Sequence, residues 1–176
     1  MLLADKKKQE NISEYIIYMY QTELLIRNFD FDIEKIKIHV FGNIPDEKMS
    51  EEKREDELKW YGEVISQMKS EGLEQEGHLS YVQEEVQKLS DLSMELLVEN
   101  EEYQAVFNAA RPAIRESIQA SEGLVNNPVQ ACLNGVFGLL LARMNGKQVP
   151  DETMEQIEHF GNVLSMLSHS YRELEN

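Results

Sequence analysis

One cysteine and four prolines are all that 176 residues contain of either type. A lone cysteine excludes an intramolecular disulfide and any zinc site built from several thiolates. Cys132 stands between Ala131 and Leu133 in an apolar run, so it reads as a small buried hydrophobe and not as a nucleophile, which would need an exposed thiolate with a base beside it. Basic residues are scarce too. Lys and Arg number 17 against 33 Asp and Glu, for a formal net charge of -16, and a surface of that sign repels phosphate backbones and anionic lipid headgroups. Neither nucleic acid nor a membrane is expected as a partner, and the basic run Lys6-Lys7-Lys8 reads as the solvated first turns of a helix. The most apolar stretch, Val136 to Ala142, is too short to span a bilayer, and charge follows soon after Met1 to Ala4. With no targeting signal in view, a cytoplasmic chain is expected.

The sequence also lacks the common chemical signatures. It has no His-Glu-x-x-His, no phosphate-cradling Gly-x-x-x-x-Gly-Lys, no Gly-x-Gly-x-x-Gly and no Gly-x-Ser-x-Gly. A di-iron helical bundle needs Glu-x-x-His pairs, yet Ile36, Gln75, Gln156 and Met166 stand three residues before the four histidines. Glu155 and His159 share a helix face at i, i+4 but read as a solvated pair. No metal and no cofactor are expected, and the balance leans away from an enzyme.

What remains is helical patterning. Ile12, Ile16, Met19, Tyr20 and Leu24 recur at helical spacing, predicting one long first helix from about Lys6 to Asn28. Tyr15, Tyr18, Leu25 and Ile26 make its flanks apolar as well, so it either sits between neighbours or presents a second face to a partner. Asp30 or Asp32 is placed to cap a short second helix reaching Phe41. A third is predicted from Ser50 to Glu71 and a fourth after Gly77, with a break near Asn100. A fifth carries Tyr103, Phe107, Ala110, Ile114 and Ile118 straight through Pro112, where a kink is expected. Asn127-Pro128 supplies a cap and a first-turn proline for a sixth helix, with Gln130 placed for a capping-box return. That helix is apolar nearly all round, so it should be the buried centre, with Gly135 and Gly138 allowing close backbone approach. A last helix runs from about Asp151 to Leu174. With 41% hydrophobic residues and no linker or repeat, the prediction is one all-α domain over residues 1–176, a bundle of about six or seven helices.

Polar residues on apolar stripes are the candidate site. Glu23 falls on the stripe of the first helix with Arg27 one turn later, either as an ion pair that fixes neighbouring helices or as the lining of a polar pocket. His78 begins the fourth helix, and Trp60-Tyr61 offers aromatic surface on the third, so a ligand-binding pocket drawing on Glu23, Arg27, Trp60 and His78 is one reading.

At Glu10-Asn11-Ile12-Ser13-Glu14-Tyr15-Ile16-Ile17-Tyr18-Met19, Glu23 with Leu25-Ile26-Arg27, Trp60-Tyr61 and Gly77-His78-Leu79, the chain resembles a family of small proteins of Bacteroides and its relatives, a domain of unknown function. The likeness spans nearly the whole chain. It implies an all-helical cytoplasmic protein and carries over no catalytic residue. Two expectations follow for function. The first is a non-enzymatic interaction or scaffold protein whose partner is itself or another protein, with Tyr15 and Tyr18 at the interface and an isologous homodimer as the simplest assembly. The alternative is a binder of, or an enzyme acting on, a small-molecule ligand held at Glu23, Arg27, Trp60 and His78.

Overall fold

Side-chain caps decide where the helices of this chain begin. In the computed structural model, which describes residues 1–175, the predicted long first helix is two: α1 (Leu3–Glu10) and α2 (Ile12–Asn28). Between them Asn11 drops to extended geometry (φ -158°, ψ 107°), and its side chain accepts the Glu14 N–H. An asparagine three residues before a glutamate satisfies an orphan donor of the new helix, and here that local bond overrides continuous apolar periodicity. The break gives eight α-helices among the described residues, in place of six or seven.

Asp30 and Phe31, both at positive φ (55° and 60°), turn the chain after α2. Asp32 then caps α3 (Ile33–Ile36) by accepting the Glu34 and Lys35 N–H groups, and the segment unwinds into a π-helical turn, Lys37–Phe41, before Gly42. Ser50 caps α4 (Glu51–Ser70), and Gly72 at φ 70° follows its end. Asn100 both closes α5 (Ser80–Glu99) and caps α6 (Glu101–Ala120) by accepting the Tyr103 N–H. Helix α6 continues without interruption through Pro112, which lies on its exposed side.

Asn127 opens α7 (Pro128–Met144) by accepting the Val129 and Gln130 N–H groups. The Gln130 side chain does not return to the cap; it donates to the Tyr20 hydroxyl and to Asn134. The last helix is α8 (Asp151–Glu175). No strand occurs among the described residues, and none of the helices is long and apolar enough to cross a membrane.

One hydrophobic cluster, from Ala4 to Leu167, joins all the long helices. Helices α2, α5, α6, α7 and α8 pack on one another, while α1 rests on α2 and α3 on α4. Helix α7 is not the buried centre its composition suggests. Val129, Ala131, Cys132 and Leu133 of its first half are buried, but Val136 to Ala142 are half-covered or exposed and Met144 is 61% exposed. Its glycines divide likewise: a Cβ on Gly135 would lie 2.5 Å from the Phe160 ring, so glycine is what lets α8 approach, whereas Gly138 faces open space.

Candidate functional site

Three of the four sequence-predicted ligand residues meet. Glu23, fully buried on α2, accepts a 2.6 Å hydrogen bond at Oε2 from His78 Nδ1 and a 2.9 Å bond at Oε1 from the Leu79 backbone N–H. Arg27, one turn on, does not pair with Glu23. It donates through Nε to the Leu73 carbonyl (3.0 Å) and through Nη2 to that of Gly77 (2.6 Å). Together the two side chains fasten α2 to both ends of the loop between α4 and α5, and Glu23 supplies a negative charge at the start of α5, where helix N–H groups favour one.

The His78 ring lies flat on Tyr20, centroids 3.8 Å apart. The Tyr20 hydroxyl is in turn held by the side-chain amides of Gln83 (2.9 Å) and Gln130 (3.0 Å), and burial raises its pKa above the usual phenol value. The resulting network ties α2, α5 and α7 into one assembly. Glu23, Arg27 and Tyr20 each find protein hydrogen-bond partners in this network, which holds the α4–α5 loop against α2.

Trp60 stands apart from it. Tyr18, Thr22 and Leu25 lie on the side of α2 opposite Tyr20, Glu23 and Arg27, and Trp60 stacks there on Tyr18 at 6.0 Å and meets Tyr61 edge-on at 5.1 Å. Beside these rings, α1, α2, α4 and the π-helical turn border a cavity of 240 Å³, partly open to solvent and lined by Tyr18, Thr22, Leu25, Val40, Phe41 and Glu57, among others. Glu57 is 2% exposed and accepts the Leu3 N–H at 2.7 Å, which caps α1. Burial raises the Tyr18 and Tyr61 phenols above their ordinary values, with Glu57 a lesser contributor to both, so both stay protonated.

Sequence reading missed Glu57, though its signal was present: 57, 61, 65 and 68 make one helical stripe with Tyr61, Ile65 and Met68, the same argument that singled out Glu23. Glu85 is a second miss, lying between Val82, Val86 and Leu89. It is buried, and it accepts from Lys8 (2.9 Å), Lys88 (3.2 Å) and the Tyr171 hydroxyl (2.8 Å). Burial acts to raise its carboxyl, but the donors, Lys8 and Tyr171 foremost, outweigh that and leave it below the usual carboxylate range. Cys132 is fully buried, and burial pushes its thiol up to about 12.

The two expected interface tyrosines separate. Tyr15 is 6% exposed and packed in the core, under the Lys8 ammonium, and presents no surface to a partner. Tyr18 is half-covered and borders a groove of 380 Å³ between α2 and α7, with Ile17, Val136, Leu139 and Leu140. A second groove of 480 Å³ lies across the same α7 ridge, between Val136 and Leu139 and the Met154 and Ile157 side chains of α8. Charges at the two rims differ in sign. Lys7 and Arg143 flank the first with Glu14, whereas Asp151, Glu155 and Glu158 flank the second.

The family model described as Domain of unknown function (DUF4924) matches residues 1–176, and the chain belongs to that family. Neither a curated protein nor a solved structure matches it. That description assigns no activity.

Proposed function

We propose that this member of the family is an interaction protein that assembles with a second copy of itself through the face made by α2, α7 and α8. The observation that carries the reading is the incomplete burial of the second half of α7, where Val136, Leu139 and Leu140 form an apolar ridge with a groove on either side. Half-covered apolar side chains that form a continuous surface are the usual mark of a contact face.

The rim charges favour a second copy as the occupant. A two-fold axis running along α7 sets the α2 side of one molecule over the α8 side of the other, so each ridge packs beside its twin. Lys7 and Arg143 then face Asp151, Glu155 and Glu158 across the interface in both halves. A two-fold axis across α7 would instead set like charges together.

Replacing Leu139 by glutamate tests this, because Leu139 borders both grooves and lies outside the buried core. A charge there is expected to convert a dimer to monomer while leaving helical content and unfolding midpoint nearly unchanged. A variant with the same mass in solution as the parent chain would overturn the assignment of this face.

A further inference from the structure

Glu57 is a buried carboxylate without a cation. Among the described residues no lysine or arginine approaches it within 4 Å, and its one hydrogen bond is to the Leu3 N–H. The guanidinium one turn earlier on α4, that of Arg54, is engaged with the Phe41 and Ile44 carbonyls and with Asp46. Backbone N–H groups offset part of the cost of burying a carboxylate, but an ionised group of this kind ordinarily has a counter-charge as well. The other three buried charged side chains have theirs or a substitute: Glu23 has His78, Glu85 has Lys8 and Lys88, and Arg54 has Asp46.

Glu57 also lines the 240 Å³ cavity. Tyr18, Tyr61 and Phe41 are its aromatic lining, and Leu25, Val40, Ile44 and Met49 its aliphatic lining. An apolar recess with a few convergent polar groups is the general form of a ligand site, and this one is smaller than the ~300–1,000 Å³ that drug-sized molecules occupy. Anion plus aromatic walls selects a cation, since ring faces attract ammonium groups. The net charge of -16 favours cations over anions near the molecular surface.

We propose that this cavity binds a small alkylamine, its ammonium donating to the Glu57 carboxylate beside the hydrogen-bonded Tyr18 and Tyr61 and its alkyl chain lying against Leu25, Val40 and Met49. The Leu3 N–H leaves acceptor capacity on the carboxylate for such a donor. Because Leu3 itself lines the cavity, occupancy also bears on how α1 is held.

The sole tryptophan, Trp60, stacks on Tyr18 at the cavity wall, so its fluorescence reports occupancy. Titrating the full chain with n-hexylamine is expected to give a saturable change, and the uncharged n-hexanol is expected to bind about tenfold more weakly, the loss that goes with a charge-assisted hydrogen bond. Glu57→Gln keeps an acceptor for the Leu3 N–H but removes the charge, and it should weaken the amine by a similar factor while leaving hexanol unaffected. Should that variant fold poorly, Val40→Trp fills the apolar end from outside the core and is expected to abolish the saturable change. No saturation by hexylamine in the parent chain, or equal binding of amine and alcohol, would overturn the proposal. Leu139→Glu is expected to leave the titration unchanged, which separates this site from the α7 face.

Discussion

At the scale of single residues, the decisive positions are those where a polar or missing side chain interrupts an apolar stripe. Gly135 and Gly138 look alike in sequence, both lying within α7, yet only Gly135 faces the Phe160 ring. Gly135→Ala is expected to destabilise the fold by about 1–3 kcal/mol through overpacking against a buried ring. Gly138→Ala should stabilise it by up to about 1 kcal/mol, because the gain in helix propensity meets no steric opposition. Urea unfolding of the two variants checks both signs. Glu85 gives a pH-dependent counterpart. Its folded pKa lies below the unfolded value, so its charge contributes stability above about pH 4.3, the ordinary glutamate value, and loses it as pH falls through the lower folded pKa. Glu85→Gln is therefore expected to cost about 1–3 kcal/mol at neutral pH, with the gap to the parent chain narrowing in acid, as unfolding curves at pH 7 and near pH 3 would show. Residues of this kind were partly legible beforehand. Glu23 was visible on its stripe, as were Glu57 and Glu85 by the same rule, but their partners come from helices far away in sequence, and periodicity within one helix carries no information about them.

At the scale of elements, the caps explain both what sequence reading recovered and what it lost. Ser50, Asn100 and Asn127 each stand at a change of pattern, so the helices they open were predicted close to where they lie. Asn11 stands inside an unbroken apolar period, and there the period prevailed over the cap in the reading although the cap prevails in the fold. Asn11→Ala is expected to cost about 1 kcal/mol by leaving the Glu14 N–H without its acceptor. The measurement is a thermal or urea midpoint, with Asn11→Ser retaining most of the parent value. Helix α7 teaches the complementary lesson. An all-round apolar helix was read as a buried one, but its second half is only half-covered. The difference arises because composition reports how apolar an element is and not which neighbours reach it, and α2 and α8 flank this stretch without closing over it.

At the scale of the whole molecule, the fold class was the most legible property: Ile36, Ile38 and Val40 alternate as a strand would, but with no second strand-like segment to pair with them, 3.6-residue periodicity admits few architectures. The candidate site was less so. Glu23, Arg27 and His78 converge as one fastening of the α4–α5 loop, while Trp60 belongs to a different wall on the far side of α2. The proposed self-association would have to overcome repulsion between two copies that each carry a net charge of -16. At ~0.15 M salt that repulsion is largely screened beyond about 8 Å, so in the proposed dimer the rims of the two grooves would act at shorter range than the overall charge. Sedimentation equilibrium at that ionic strength, run over a range of loading concentrations, is the most direct measurement. A single chain has a mass of 20.4 kDa. A mass that rises to twice this value with concentration, and falls back to it in the Leu139→Glu variant, is the result expected of a dimer built on the α7 face; a parent chain that stays at the single-chain mass throughout would contradict that assembly.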